Sequence, residues 1–119
     1  MKLESVTFQT NNLKERIQFY ETVLGLKIMR DMRGKGVHDI VFMGNEETDT
    51  QIELIEEEEG YEGRHLSLGF HTDNVMTERE RIVKMGLDPS PVISPEPGVC
   101  FFFVQDPNGM DIQFIQIDI

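Results

Sequence analysis

Residues 5–26, SVTFQTNNLKERIQFYETVLGL, carry an alternating stretch, an asparagine-containing turn and an amphipathic stretch ending near Gly25. Residues 65–87, HLSLGFHTDNVMTERERIVKMGL, carry the same three in the same order and end near Gly86. Internal repeats of this kind decide an architecture before any single element does. Asn12 stands where a side chain caps a helix, and Glu15 completes a capping-box-like spacing. Leu13, Ile17, Tyr20 and Leu24 then recur as the apolar stripe of the first helix. Asp73 or Asn74 is the matching cap for the second helix, with Val75, Ile82 and Val83 on its buried face. Gly86 suits the left-handed position that closes it.

Three strands are expected after each helix: LKIMRD, VHDIVFMG and QIELIE, then PVIS, GVCFFFV and MDIQFIQI. Each half therefore reads βαβββ, with modules of about 1–60 and 61–119 in one domain. Gly34 beside the Lys35-Gly36 pair signals a hairpin, and Asp106-Pro-Asn-Gly109 signals a tight turn. Pro89, Pro91, Pro95 and Pro97 stiffen a loop expected to rim a cavity. Glu56 to Glu59 read as a solvated linker between the halves.

The chain has 119 residues, enough for one core without staples. With 39% hydrophobic and 28% charged residues the composition is globular, and no apolar run approaches the roughly 20 residues that span a bilayer. No membrane association is expected. The opening MKLESVTFQT enters a strand pattern without a secretory signal, so a cytoplasmic location is the expectation. A formal charge of −11 opposes binding to nucleic acid or anionic lipid. The single Cys100, within GVCFFFVQ, reads as a buried core thiol.

Strand parity sorts the polar residues. Ser5, Thr7 and Gln9 share one face of the first strand; His65, Ser67, Gly69 and His71 share one face of its counterpart. In the closing strands, Glu53 of QIELIE and Gln113 of DIQFIQ stand sixty residues apart, each flanked by core-facing residues. The same sixty residues separate Ser5 from His65. A pseudo-twofold relation between the modules would bring Ser5, Glu53, His65 and Gln113 to one polar surface; the alternative is a plain solvent-facing sheet.

The stretches VTFQTNNLKERIQFYETVLGLKI, IELIE, RHLSLGF and FVQDPNGMDIQFIQ resemble the vicinal oxygen chelate superfamily, which includes glyoxalase I, extradiol dioxygenases and bleomycin resistance proteins. The match runs nearly end to end, and glyoxalase I is the nearest in flavour. The resemblance implies an α+β fold of two βαβββ modules in a curled mixed sheet, a homodimer, and a cavity on the polar side. In metal-dependent members the ligands come from the first and last strands of each module. Those positions fall here on Ser5, Glu53, His65 and Gln113, of which Glu53 and His65 match the glyoxalase pattern.

A divalent metal such as Ni, Co, Zn or Mn is the cofactor so implied, and Glu53 is then the candidate catalytic base. Ser5 is a weak ligand and Gln113 takes no proton. His38 and His71 are reserve ligands or ordinary surface or cavity polar groups, and Arg64 is a candidate anion contact or a surface residue. Two functions follow from the resemblance. One is a glyoxalase I-like lyase or isomerase of a small carbonyl or thiohemiacetal substrate, with an altered metal site. The other is a metal-free small-molecule binding protein of the bleomycin resistance type, attracting basic ligands through its negative charge, with Tyr61, Phe102 or Phe70 as aromatic contacts.

Overall fold

The computed structural model describes residues 1–61 and 64–118. The chain divides into two compact units, Met1–Glu62 and Gly63–Ile119. The first contains β1 (Ser5–Thr10), α1 (Leu13–Thr22), β2 (Lys27–Asp31), β3 (Ile40–Gly44) and β4 (Gln51–Glu56). The second contains β5 (Ser67–His71), α2 (Val75–Lys84), β6 (Ile93–Glu96), β7 (Val99–Gln105) and β8 (Asp111–Ile117). The expected βαβββ order holds in both.

Module 1 is a four-stranded sheet in the order β1-β4-β3-β2, and module 2 repeats it as β5-β8-β7-β6. In each, the first and last strands pair in parallel and the other neighbours are antiparallel. A parallel pair needs a crossover, which is what the helix supplies.

Alternation puts one face of each sheet under its helix. In module 1, Phe8, Val41, Met43, Ile52 and Leu54 are buried there, together with Leu13, Ile17, Phe19 and Tyr20 of α1. Arg16 is buried in the same layer, its guanidinium 5.3 Å from the Phe8 ring centre and 5.8 Å from that of Tyr20. Its side chain lies among aromatic faces that favour a cation. In module 2, Phe102 stacks on Phe114 with ring centres 5.0 Å apart, beside buried Val104, Ile112, Val75 and Ile82. Val83, expected in this core, is 48% exposed; Val75 and Ile82 are the buried residues of α2. Leu24 and Cys100, also expected inside, are half-buried.

The helix starts differ from expectation in one respect. Asn74 caps α2 as expected, accepting the Thr77 N–H at 3.1 Å. Asn12 makes no such bond, because its Oδ1 is taken by the Thr10 hydroxyl at 2.7 Å. The Leu13 N–H is met instead by the Glu56 carboxylate at 3.1 Å. Glu56 is therefore a cap and not part of a solvated linker; a negative charge at a helix N-terminus is favourable.

The turn before β8 is pinned by Asp106, whose Oδ1 accepts the N–H groups of Asn108 (2.8 Å) and Met110 (3.0 Å), while Gly109 supplies a φ of 81°. The strand expected at PVIS forms as β6 but sits two residues later, over 93–96, so that it runs into the proline-rich stretch. Pro95 is tolerated because β6 is an edge strand.

Candidate functional site

The face of each sheet turned away from its helix carries the polar side chains. In module 1 the ladder pairs Ser5 with Gln51 and Thr7 with Glu53, and β3 sets Phe42 against Glu53. Ser5, Thr7, Gln51, Glu53 and Phe42 therefore share one open face. The Thr7 hydroxyl donates to Oε1 of Glu53, so one oxygen of that carboxylate is already engaged.

In module 2 the ladder pairs Ser67 with Asp111 and Gly69 with Gln113, and β7 sets Phe103 against Gln113. Gln113 thus matches Glu53, sixty residues on. The first strand behaves differently: Ser67, not His65, occupies the register of Ser5, a separation of sixty-two. His65 lies two residues before the first paired residue of β5, in an exposed turn with φ 64°. The expectation that His65 stands on the strand is corrected accordingly. A two-residue difference in chain length between helix and closing strand separates the two spacings. The signal was present, since Asn12 and Asn74 also stand sixty-two apart.

Gly69 holds the position of Thr7. A Cβ placed there would lie 3.1 Å from Oε1 of Gln113, tighter than ordinary contact, so the absent side chain leaves room for the amide. The equivalent pairs are thus hydroxyl with carboxylate in module 1 and bare backbone with amide in module 2.

Each open face carries a cavity at the same end of its ladder. Module 1 has one of about 350 Å³ lined by Ser5, Arg30, Phe42 and Gln51 together with Glu4 and Glu47. Module 2 has one of about 570 Å³ lined by Phe103, Gln105 and Asp111, with Asp88, Pro89 and Pro91 opposite. The proline-rich segment does rim this cavity. It is tied to β7 by the Ser90 N–H on the Phe103 carbonyl (2.8 Å) and the Phe103 N–H on the Ser90 hydroxyl (2.9 Å). Aromatic contacts expected from Phe102, Phe70 and Tyr61 fall elsewhere. Phe102 is fully buried under α2, Phe70 shares its face, and Tyr61 stacks on Phe8 at 6.5 Å. The open-face aromatics are Phe42, Phe101 and Phe103, which parity within the CFFFV run separates from Phe102.

The sequence profile of the Glyoxalase/Bleomycin resistance protein/Dioxygenase superfamily matches residues 2–114. The chain belongs to this superfamily. It is 29% identical over 126 residues to YwbC of Bacillus subtilis (strain 168), described as uncharacterized, covering 97% of each chain. It is 27% identical over 125 residues to a lactoylglutathione lyase of Neisseria meningitidis serogroup A, covering 98% of this chain and 91% of that one. Its fold is that of TnmS3, an antibiotic binding protein from Streptomyces sp. CB03234, with a TM-score of 0.81 at 20% identity over 99% and 97% of the two chains.

The superfamily includes metal-dependent glyoxalases, and the ladder positions of this chain carry oxygen donors. They are the hydroxyls of Ser5 and Ser67, the Glu53 carboxylate and the Gln113 amide. Ni, Co, Zn and Mn favour imidazole and carboxylate, and a neutral hydroxyl is a weak donor. Neither module's pair, hydroxyl with carboxylate in the first or hydroxyl with amide in the second, matches that preference. Among the described residues no group of three or more His, Cys, Asp or Glu side chains is placed to hold a metal ion. Of the reserve histidines, His38 Nδ1 lies 3.4 Å from Glu57 and His71 Nε2 lies 3.2 Å from Asp73, both on exposed surface. Arg64 stands in the same exposed turn as His65. Among the described residues no helix is long and apolar enough to cross a membrane.

Proposed function

We propose that this protein binds a small molecule on the open sheet faces and holds it without converting it, in the manner suggested by its antibiotic-binding neighbour. The observation that carries this reading is the strand register, which supplies serine at both first-strand positions. A cavity with aromatic, amide and hydroxyl groups suits recognition, whereas proton abstraction beside a carbonyl needs a free base and an electrophile. Glu53 has one oxygen occupied by Thr7, and Gln113 accepts no proton.

The net charge of −11 selects for basic ligands. Calorimetric titration with basic glycopeptides of the bleomycin type is expected to give saturable heat with the ligand recovered unchanged. Turnover of a glutathione thiohemiacetal on addition of Ni²⁺ or Zn²⁺ would overturn the reading.

A glyoxalase-type lyase with Glu53 as base is the second reading, favoured by the one carboxylate retained on the open face and by the lactoylglutathione lyase relative. It predicts about one divalent ion retained per site by the wild type, lost in Glu53→Ala or His65→Ala. The first reading predicts little metal in the wild type and a gain in a Ser5→His, Ser67→His, Gln113→Glu variant, so metal analysis separates the two. A homodimer and a cytoplasmic location accompany both readings; light scattering and fractionation test them.

A further inference from the structure

The cavity of module 1 gathers charges of both signs, and its counterpart in module 2 does not. Arg30 enters the first from β2, next to Phe42 on β3. Among the described residues its guanidinium has no hydrogen-bond or ion-pair partner, and neither do the carboxylates of Glu4 and Glu47. Ser5 and Gln51 add a hydroxyl and an amide, both able to donate to an oxyanion. Phe42 and Met29 supply the apolar lining. The cavity of module 2 offers Asp88 and Asp111 with no basic side chain in its lining.

A purely anionic ligand would meet two carboxylates of the lining and the field of a strongly acidic chain. A purely cationic ligand would meet the like charge of the Arg30 guanidinium. One chemistry satisfies both, and the volume of about 350 Å³ is at the small end of the range for ligand cavities.

We propose that the module 1 cavity takes a small zwitterion with an apolar or aromatic side chain, such as an α-amino acid. Its carboxylate lies on the Arg30 fork with help from Ser5 and Gln51, its ammonium faces Glu4 and Glu47, and its side chain packs on Phe42 and Met29. The fork of guanidinium donors matches a carboxylate in geometry as well as charge. This inference rests on the reading of the open faces as small-molecule sites and names a ligand class for one of them.

The test is calorimetric titration of the wild type, Arg30→Gln and the Glu4→Gln, Glu47→Gln double variant with L-phenylalanine, 3-phenylpropionate and phenethylamine. All three substituted side chains are exposed, so the variants keep the fold, which circular dichroism verifies. The wild type is expected to bind phenylalanine at least about tenfold more tightly than either singly charged analogue, the worth of one charge-assisted contact. Arg30→Gln is expected to weaken phenylalanine by about the same factor while leaving phenethylamine no weaker. The double variant is expected to weaken phenylalanine and strengthen 3-phenylpropionate. Absence of phenylalanine binding at millimolar concentration, equal affinity for the three probes, or an Arg30→Gln variant that matches the wild type would overturn the proposal. A basic glycopeptide titrated in parallel separates the two failures: glycopeptide heat without phenylalanine heat removes this ligand class and leaves the binding reading intact.

Discussion

Modules 1 and 2 share one topology, and at two equivalent positions a carboxylate in the first is an amide in the second. Glu53 becomes Gln113 on the open face, and Glu56 becomes Gln116 at the helix cap. The cap tolerates the change. The Leu13 N–H donates to Glu56 at 3.1 Å and the Val75 N–H to Gln116 at 2.9 Å, because the helix terminus asks only for an acceptor oxygen. The open face does not tolerate it chemically, since a carboxylate can take a proton or bind a cation strongly and an amide can do neither. The same substitution is thus conservative for folding and decisive for chemistry.

The comparison can be broken most severely in the cores. Phe102 is fully buried and stacked on Phe114, whereas the register places Val41 at the equivalent point of module 1. Phe102→Ala is expected to cost about 3–5 kcal/mol, read by urea unfolding. A loss well below that range would mean the aromatic pair is not what seats α2 on its sheet.

A smaller effect tests the caps. Glu56→Ala and Gln116→Ala should each cost about 0.5–2 kcal/mol, whereas Glu56→Gln should cost only a fraction of that, because Gln116 already shows the amide at work. If Glu56→Gln proved as damaging as Glu56→Ala, charge rather than hydrogen bonding would be the essential element at α1.

The smallest effect lies in the hairpins. Module 2 turns from β6 to β7 through Pro97 and Gly98 alone, while module 1 uses the longer stretch 32–39, braced by Arg33 on Asp31. The side-chain hydrogen bond from Arg33, then its backbone N–H, holds the Asp31 carboxyl down to about 2. A depressed carboxyl contributes stability that is present above its unfolded value and is lost as pH falls through the folded one. For a fully exposed pair the contribution is slight. Carboxyl-detected NMR titration should place the Asp31 midpoint near 2 in the wild type and back toward the usual carboxylate value of 3.8 in Arg33→Gln; no movement in the variant would assign the depression to another group.

Much of the fold was legible because its determinants are local. The stripe Leu13, Ile17, Tyr20, the alternation in QIELIE and DIQFIQI, and the Asp106-Pro-Asn-Gly109 turn each act within a few residues, and each element formed where those signals stand. The buried Arg16 was not legible, since nothing in its neighbours tells that the rings of Phe8 and Tyr20 will lie against it. The capping of Leu13 by Glu56 was hidden for the same reason: the partners are far apart in sequence and meet only once β4 is in place.

The amino-acid order alone determined two βαβββ units and which residues share each sheet face, because side-chain alternation and helix periodicity are properties of the chain itself. It did not determine which residue of β5 stands opposite which residue of β8. His65 and Ser67 have the same parity, and a slide of two residues leaves every side chain on its own face, so alternation is blind to it. The sixty-two-residue spacing of Asn12 and Asn74 points to the slide, and the hydrogen-bond ladder between β5 and β8, formed in the folded sheet, puts Ser67 in the register of Ser5 and leaves His65 in the turn.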